Sequence, residues 1–273
     1  MPELPEVEVV RRGLQASVLG RAVRRVEVRQ PRLRWPIPDD LNLRLADATA
    51  LAIERRSKYL LFRFPRGTLI VHLGMSGSLQ FQTLPQPPGR HDHVDLVFEH
   101  GVLRYCDPRR FGAMLWHDNE GEPLERHPLL ARLGIEPFSD GFDAQHLYRA
   151  TRGRTLSIKQ LLLSGAAVVG VGNIYASESL FRARIRPSTP AGRLSRRRCA
   201  ALVDAIRQTL AESIERGGSS LRDFVDSEGR SGYFQLDCLV YGRASQPCRH
   251  CATPIRLSRD QQRSTFWCSV CQR

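Results

Sequence analysis

The first six residues of the chain carry the groups best suited to covalent chemistry. They read Met-Pro-Glu-Leu-Pro-Glu, and removal of Met1 would leave Pro2 with a free secondary amine. Such an amine can attack an electrophilic carbon and form an iminium (Schiff-base) intermediate. Its reference pKa of roughly 7.7–8.0 leaves part of it unprotonated near neutral pH. Glu3 and Glu6 add carboxylates for proton transfer. Taken alone, the same residues fit an ordinary acidic helix start, which is the simpler interpretation.

Four cysteines near the other end of the chain have the spacing of a metal site. They form two C-x-x-C pairs separated by sixteen residues: Cys248, Cys251, Cys268 and Cys271. This spacing is typical of a structural, tetrahedral zinc site with four thiolate ligands and no open position. Disulfides are the less favoured alternative, because the chain begins without a secretory signal. Arg256, Arg259 and Arg263 lie between the pairs, which suits a phosphate backbone.

The overall charge indicates a polyanionic partner. The sequence has 41 Lys and Arg residues against 28 Asp and Glu, a formal charge of +13. An excess of this size favours nucleic acid. Lys58 and Lys159 are the only lysines in the sequence, and lysine can exchange a proton where arginine almost never does. No apolar run reaches the roughly 18 residues that a membrane span needs, so we expect no membrane association.

The elements that must position these groups fall into three parts. A buried stripe at Val7, Val10, Leu14 and Val18 predicts a helix that would hold Pro2 at its positive end. Strands and hairpins follow, with turns at Arg66-Gly67 and at Gly101. We therefore predict a mainly β domain over residues 1–130 that includes this first helix.

Helical periods replace the alternating pattern in the middle of the chain. Ser195 is the predicted N-cap of the last long helix, and Gly217-Gly218 is its predicted stop. Lys159 is expected on the surface of an earlier helix. We predict a helical domain over 131–238 and a zinc-bound β-hairpin over 239–273.

Three glycine-containing turns offer further groups for nucleic acid. Arg109 and Phe111 lie in D-P-R-R-F-G-A, where an apolar ring could enter a base step beside an arginine. Met75 lies in H-L-G-M-S-G, where an apolar side chain could be exposed. Asn173 follows G-V-G at a helix start that could cradle a phosphate. A core phenylalanine and a plain helix cap are the simpler alternatives for the first and third turns.

With these pieces assembled, the chain resembles the bacterial formamidopyrimidine-DNA glycosylase family. The resemblance is carried by P-E-L-P-E-V-E, K-Y-L, H-L-G-M-S-G, H-D-H-V-D-L, D-P-R-R-F-G, G-V-G-N-I-Y-A-S-E and the four-cysteine tail. These motifs occur in the same order and leave no large segment uncovered. They favour a catalytic role for the first six residues over the simpler interpretation as an acidic helix start.

The resemblance implies an α+β multidomain fold. Its parts are an N-terminal β-sandwich flanked by helices, a helix–two-turn–helix DNA-binding domain and a C-terminal four-cysteine zinc β-hairpin. It implies a base-excision-repair glycosylase and AP lyase that removes oxidised purines, such as 8-oxoguanine and formamidopyrimidines, from damaged double-stranded DNA with the nucleotide flipped out. We expect a monomer with one structural Zn²⁺, located in the bacterial cytoplasm at the nucleoid.

The resemblance also implies roles for individual residues. Pro2 would attack C1′ of the deoxyribose, and Glu3 would donate a proton or stabilise charge at the sugar. Lys58 would donate the proton linked to β-elimination, and Arg263 would serve δ-elimination. The DNA-binding set implied by the resemblance comprises void-filling residues and strand contacts: Met75, Arg109, Phe111, His91, Arg154, Asn173 and Tyr241. A lesion-contacting loop would lie within 217–237.

Two other functions remain open at this stage. The endonuclease VIII branch prefers oxidised pyrimidines and typically begins P-E-G-P-E, so Leu4 favours the purine branch. A non-catalytic zinc-ribbon DNA-binding protein would need the cysteines and arginines. It would not need Pro2, Glu3 and Lys58 in this arrangement.

Overall fold

The computed structural model describes residues 2–218 and 238–273. The chain forms two compact units, one centred on Met1–Ala131 and the other on Arg132–Glu215 with the C-terminal residues up to Arg273. The predicted lesion loop lies outside the described residues from position 219 onwards, as does Met1.

The first unit begins with the predicted helix. Helix α1 spans Leu4–Val18 and buries its apolar stripe. Its N-cap is Glu3, whose side chain accepts from the backbone of Glu6, while the Glu6 side chain accepts from the backbone of Glu3. Such a reciprocal box satisfies two N–H groups that a helix start otherwise leaves without partners. The turn chemistry of the first six residues therefore fixes where the helix begins.

Two four-stranded antiparallel sheets follow α1. The first has the order β1-β6-β7-β5, and its strands are β1 (Arg25–Val28), β5 (Ser78–Gln82), β6 (Asp92–Phe98) and β7 (Gly101–Cys106). The second has the order β2-β3-β4-β8, and its strands are β2 (Ala52–Arg56), β3 (Tyr59–Phe64), β4 (Gly67–His72) and β8 (Ala113–Asp118). Both predicted hairpins, β3–β4 and β6–β7, are confirmed.

Both sheets and α1 contribute to one apolar core. It includes Val10 of α1, Leu96 of β6 and Phe62 of β3. A short helix that the sequence pattern did not reveal, α2 (Leu41–Leu45), also buries two leucines in this core. The first unit is therefore the predicted β-sandwich with helices at its side.

Within its described residues, the second unit contains four α-helices and a hairpin. The helices are α3 (Ala144–Thr151), α4 (Ile158–Leu163), α5 (Asn173–Arg182) and α6 (Arg196–Glu215). Helices α4 and α5 and the two-turn connection between them form the predicted helix–two-turn–helix. Ser195 Oγ accepts from the backbone of Arg198 at the start of α6, which confirms the predicted cap. Helix α3 was not predicted, because it buries only Leu147 and Thr151.

The C-terminal residues form the predicted hairpin. Strands β9 (Arg256–Asp260) and β10 (Arg263–Trp267) pair in antiparallel register between the two cysteine pairs. The indole of Trp267 lies beneath the guanidinium groups of Arg186 and Arg256, at 4.7 and 5.6 Å from the ring centroid. Among the described helices, none is both long and apolar enough to cross a membrane.

Candidate functional site

The start of α1 buries the candidate nucleophile and its neighbouring carboxylates. Pro2 is buried directly before the N-cap, Glu3 is 2 % exposed, and Glu6 is fully buried. The Glu3 backbone nitrogen lies 2.7 Å from Glu6 Oε2. Because both glutamates take part in the capping box, Pro2 is attached to a rigid point at the positively polarised end of the helix. The arrangement fixes the position of the Pro2 nitrogen before any substrate arrives.

A buried ion-pair group connects α1 to the turn that carries Lys58. Glu8 accepts from Arg11 and Arg12 on its own helix and from Arg55 Nε of β2 at 3.1 Å. Burial opposes ionisation of Glu8, but these hydrogen bonds and the charges of Arg11 and Arg55 lower its pKa to about 2. Arg55 Nη1 also donates to the Ser57 carbonyl at 3.0 Å. Lys58 follows in the β2–β3 turn, half-buried. This chain of contacts holds the lysine turn against the helix that carries Pro2.

The three predicted void-filling residues lie on two adjacent turns of the first unit. Met75 is in the β4–β5 turn and is 38 % exposed, while Phe111 is in the β7–β8 turn and is 46 % exposed. The guanidinium of Arg109 lies 4.7 Å above the Phe111 ring. Phe111 is therefore not the core residue of the simpler alternative, and the apolar side chains of both turns face outward.

His72, at the end of β4, supports the Met75 turn in its neutral form. Its Nδ1 accepts from the Gly74 backbone at 3.0 Å. Burial, followed by the charges of Lys58 and Arg34, lowers the pKa of His72 to about 4. The imidazole is therefore neutral at physiological pH and remains an acceptor.

His91, a predicted DNA contact, lies half-buried just before β6. Its ring packs edge-on against that of His93 at 6.4 Å. Its carbonyl accepts from the Asp107 backbone at 3.0 Å. His91 is thus attached to the start of the loop that carries Arg109 and Phe111.

In the second unit, Arg154 and Asn173 occupy different environments. Arg154 is exposed in the connection between α3 and α4. Asn173 is the first residue of α5, after the N-cap Gly172, and its Nδ2 donates to the Ser264 carbonyl at 3.0 Å. Its Oδ1 is buried and has no hydrogen-bond partner among the described residues. Gly172 of the G-V-G turn is thus the N-cap of α5, and the asparagine amide faces the hairpin.

Tyr241 is held at its backbone by a buried glutamate. Glu178 is 1 % exposed and accepts from three consecutive backbone N–H groups, those of Leu239, Val240 and Tyr241, at 2.8, 2.9 and 2.8 Å. The Tyr241 ring meets Phe266 of β10 at 5.1 Å. Sequence reasoning missed Glu178. The available signal was an acid within the otherwise apolar and small residues of α5.

The hairpin presents Arg263 at its turn. Arg263 is exposed, opens β10 and pairs in register with Asp260. The expectation that Lys159 lies on a helix surface is wrong, because Lys159 is fully buried and its Nζ donates to the Ser264 carbonyl and to Thr265 Oγ1. The amphipathic pattern of α4 did not reveal this, since the partners lie more than a hundred positions away.

The four cysteines converge on one point. Their Sγ atoms all lie within 4.8 Å of one another. The separations are 3.9 Å for Cys248–Cys271 and 3.5 Å for both Cys251–Cys268 and Cys251–Cys271. A tetrahedral zinc ion with bonds of about 2.3 Å would set neighbouring sulfurs about 3.8 Å apart. The backbones of His250 and Cys271 also donate to Cys248 and Cys268. The donor set and its spacing fit one zinc ion.

Two family models cover most of the chain. The Formamidopyrimidine-DNA glycosylase N-terminal domain matches residues 1–114, and the Formamidopyrimidine-DNA glycosylase H2TH domain matches residues 133–225. With the buried Pro2, the helix–two-turn–helix and the cysteine hairpin, these matches define a DNA-repair glycosylase.

Relatives extend this result over the full length. Formamidopyrimidine-DNA glycosylases of Burkholderia thailandensis and Burkholderia cenocepacia are each 59% identical and are matched over 100% of both chains. The MutM (Fpg) protein of Thermus thermophilus is 37% identical with a TM-score of 0.89, covering 99% of this chain and 98% of that one. A Lactococcus lactis Fpg in complex with DNA containing an abasic site is 33% identical with a TM-score of 0.90, covering 99% of each. The chain belongs to the formamidopyrimidine-DNA glycosylase family, whose members are glycosylases and AP lyases.

Proposed function

We propose that this protein excises oxidised purines, including 8-oxoguanine and formamidopyrimidines, from double-stranded DNA and then cleaves the strand by β,δ-elimination. The observation that carries the proposal is the reciprocal capping of Glu3 and Glu6, which holds buried Pro2 at the N-terminus of α1. A plain DNA-binding protein has no need of such a site. Full-length similarity to named formamidopyrimidine-DNA glycosylases supports the purine branch over oxidised pyrimidines.

The reaction begins at the Pro2 nitrogen once Met1 has been removed. The nitrogen attacks C1′, the glycosidic bond breaks, and its electron pair leaves with the damaged base. Opening of the sugar gives an iminium at C1′, which makes the C2′ protons acidic. Loss of a C2′ proton expels the 3′ phosphate, and a second elimination expels the 5′ phosphate.

Three further residues serve these steps. Glu3 supplies a proton or stabilises charge at the sugar ring. Lys58 supplies the proton linked to β-elimination, and its turn is fixed by the Glu8–Arg55 contacts described above. Arg263 positions the phosphate that leaves in δ-elimination, since an arginine is a poor acid and a good phosphate ligand.

DNA binding uses both units. Met75, Arg109 and Phe111 fill the space left by the flipped nucleotide, and the contacts to the strands come from a wider set: His91, Arg109, Arg154, Asn173 and Tyr241. The protein acts as a monomer in the bacterial cytoplasm. Its three domains are the β-sandwich domain of residues 1–130, the helix–two-turn–helix domain of residues 131–238 and the zinc hairpin of residues 239–273.

The cysteine cluster holds one Zn²⁺ through its four thiolates. When bound, the ion supplies a closed anchor with no open coordination position, so its contribution is to stabilise the fold. The hairpin then presents Arg263 and the neighbouring arginines to phosphate. The Gln272 side chain holds the second cysteine pair in place, because it accepts from the Cys268 backbone and donates to the Ile185 carbonyl.

Borohydride trapping tests the proposed nucleophile. The protein should form a covalent adduct with a duplex that contains 8-oxoguanine opposite cytosine, and Pro2→Gly should abolish it. Binding of Pro2→Gly to DNA with a stable abasic-site analogue should be retained, which separates chemistry from folding. An undiminished adduct in Pro2→Gly would refute the role of Pro2.

A nicking assay tests the substrate class. Oxidised-purine and oxidised-pyrimidine duplexes compared side by side should show preferential cleavage of the purine substrate. Preferential cleavage of the pyrimidine substrate would assign the chain to the endonuclease VIII type of activity instead.

A further inference from the structure

Asp107 lies at the point where the two turns that carry Met75, Arg109 and Phe111 meet. It is the first residue after β7 and is fully buried. Neither its burial nor its partners are explained by the proposed chemistry, which uses no group at this position. The side chain is nonetheless surrounded by donors from both turns.

The Asp107 carboxylate accepts four hydrogen bonds. Oδ1 receives Ser76 Oγ at 2.8 Å and the Arg109 backbone at 3.3 Å. Oδ2 receives the Gly112 backbone at 2.9 Å and the Tyr105 hydroxyl at 3.3 Å. A carboxylate offers about four lone-pair sites, so all of its acceptor capacity is used. Ser76 belongs to the β4–β5 turn, whereas Arg109 and Gly112 belong to the β7–β8 turn.

The groups around Asp107 keep its hydrogen-bond donors in place. Burial and the adjacent Asp107 charge raise the pKa of Tyr105 well above its usual range, so the phenol remains a donor. Ser76 Oγ in turn accepts from the Arg109 backbone at 3.3 Å, a second link between the turns. His93 Nε2 lies 2.8 Å from the Asp107 carbonyl and fixes the backbone at the same point.

The two turns also pack against each other without space for a side chain. A Cβ built on Gly74, whose φ is +65°, would lie 2.5 Å from the Gly112 nitrogen and 2.5 Å from the Phe111 carbonyl carbon. A Cβ on Gly112 would lie 2.5 Å from the His72 carbonyl oxygen and would overlap the Tyr105 hydroxyl. This close approach lets one carboxylate reach donors on both turns.

We propose that Asp107 is a positioning residue that joins the two turns into a single preformed wedge, so that Met75, Arg109 and Phe111 enter the DNA together. The proposal rests on the proposed function, in which these side chains occupy the space of the flipped nucleotide. The contacts made by side chains in that space offset the free energy needed to unstack a base. A wedge with fixed geometry needs no ordering of the turns at the moment of insertion.

Asp107→Asn tests the proposal because the amide replaces one acceptor oxygen by a donor. We expect excision of 8-oxoguanine to slow by about 10- to 100-fold, the effect of one or two broken hydrogen bonds to a charged group. Cleavage at a preformed abasic site should slow by less than about threefold, because a nucleotide without a base costs little to extrude. Stopped-flow fluorescence of 2-aminopurine beside the lesion should show slower insertion.

Further variants keep the test decisive if Asp107→Asn folds poorly. Ser76→Ala removes the inter-turn hydroxyl alone and should lower the ratio of excision to abasic-site cleavage in the same direction. The effect of Ser76→Ala should be smaller when Met75→Ala is already present. The hydrogen bond from Ser76 acts by positioning Met75, so the two substitutions should not be additive. Asp95→Asn is the matched control, because Asp95 is a buried aspartate of β6 whose ion pairs go to Arg104 of β7 and to Arg29, outside the two turns.

The outcomes separate this inference from the proposed function. If the unmodified protein neither excises 8-oxoguanine nor forms a trapped adduct, the proposed function fails. If the unmodified protein is active while Asp107→Asn and Ser76→Ala keep its excision-to-cleavage ratio, only the wedge proposal fails. An equal change of that ratio in Asp95→Asn would likewise overturn it.

Discussion

The ammonium group of Lys159 lies 2.9 Å from the carbonyl oxygen of Ser264, and this contact joins the start of α4 to strand β10 across 105 positions of sequence. Asn173 Nδ2 donates to the same carbonyl. Ser264 directly follows Arg263, so these two donors hold the backbone next to the residue that the proposed mechanism places at the phosphate.

Replacing Lys159 by methionine should loosen the hairpin. The loss of two hydrogen bonds from a buried charge should lower the free energy of local opening by about 2 kcal/mol. Hydrogen exchange followed by mass spectrometry should show faster exchange at residues 263–267, together with weaker DNA binding. Arg197→Met removes the same charge from the exposed surface of α6 and should leave the hairpin unchanged. Unaltered exchange in Lys159→Met would contradict this role.

Breaking the Glu8–Arg55 pair should affect the turn that carries Lys58. A double-mutant cycle of Glu8→Gln and Arg55→Met should give a coupling energy of about 1–2 kcal/mol in unfolding. In both single variants, the fold-decrease in the rate of strand cleavage at an abasic site should exceed the fold-decrease in DNA affinity. The control is Glu54→Gln, which breaks the exposed Glu54–Arg63 pair of the same hairpin. Exposed pairs contribute at most about 1 kcal/mol. Equal effects of the two glutamate substitutions would count against the buried link.

The depressed pKa of His72 predicts how stability changes with pH. In the folded protein the imidazole stays neutral down to about 4, whereas in the unfolded chain it gains a proton below about 6.5. Because the unfolded state binds more protons in this window, stability falls as the pH decreases through it. The free energy of unfolding, taken relative to His72→Gln, should decrease by about 2 kcal/mol between pH 6.5 and 5. A constant difference over this range would show that the imidazole is not held neutral.

Loss of the metal should act on the second unit alone. Cys251→Ser should lose zinc and bind DNA more weakly, while circular dichroism and hydrogen exchange report an intact β-sandwich. Cys199→Ser changes a buried thiol of α6 outside the cluster and should keep one equivalent of zinc. Retention of zinc with unchanged DNA binding in Cys251→Ser would refute the four-thiolate site.

Features encoded in short stretches of sequence could be predicted. The start of α1 depends on residues 2–6, both hairpins depend on alternation around a turn, and the cysteine cluster depends on spacing within 24 residues. In each case the partners lie close in sequence, so the local pattern carries the information. The fold class followed from these features together with the family resemblance.

Contacts made at long range could not be predicted. The burial of Lys159, the three N–H groups bound by Glu178 and the hydrogen bond from Ser76 to Asp107 depend on residues brought together by the folded sheets and helices. Hydrophobic periodicity describes which face of an element is buried, and it does not indicate which polar group finds a partner there. The buried polar residues with distant partners were therefore the ones that sequence reasoning placed wrongly or overlooked.

The contact of the Arg186 and Arg256 guanidinium groups with the Trp267 ring has a practical consequence. The sequence places the other tryptophans, Trp35 and Trp116, in the first unit, so Trp267 is the one tryptophan of the second unit. Guanidinium groups that leave its faces to meet phosphate would change its emission. In a variant that lacks the other two tryptophans, the fluorescence of Trp267 would report DNA binding at the hairpin without an attached dye.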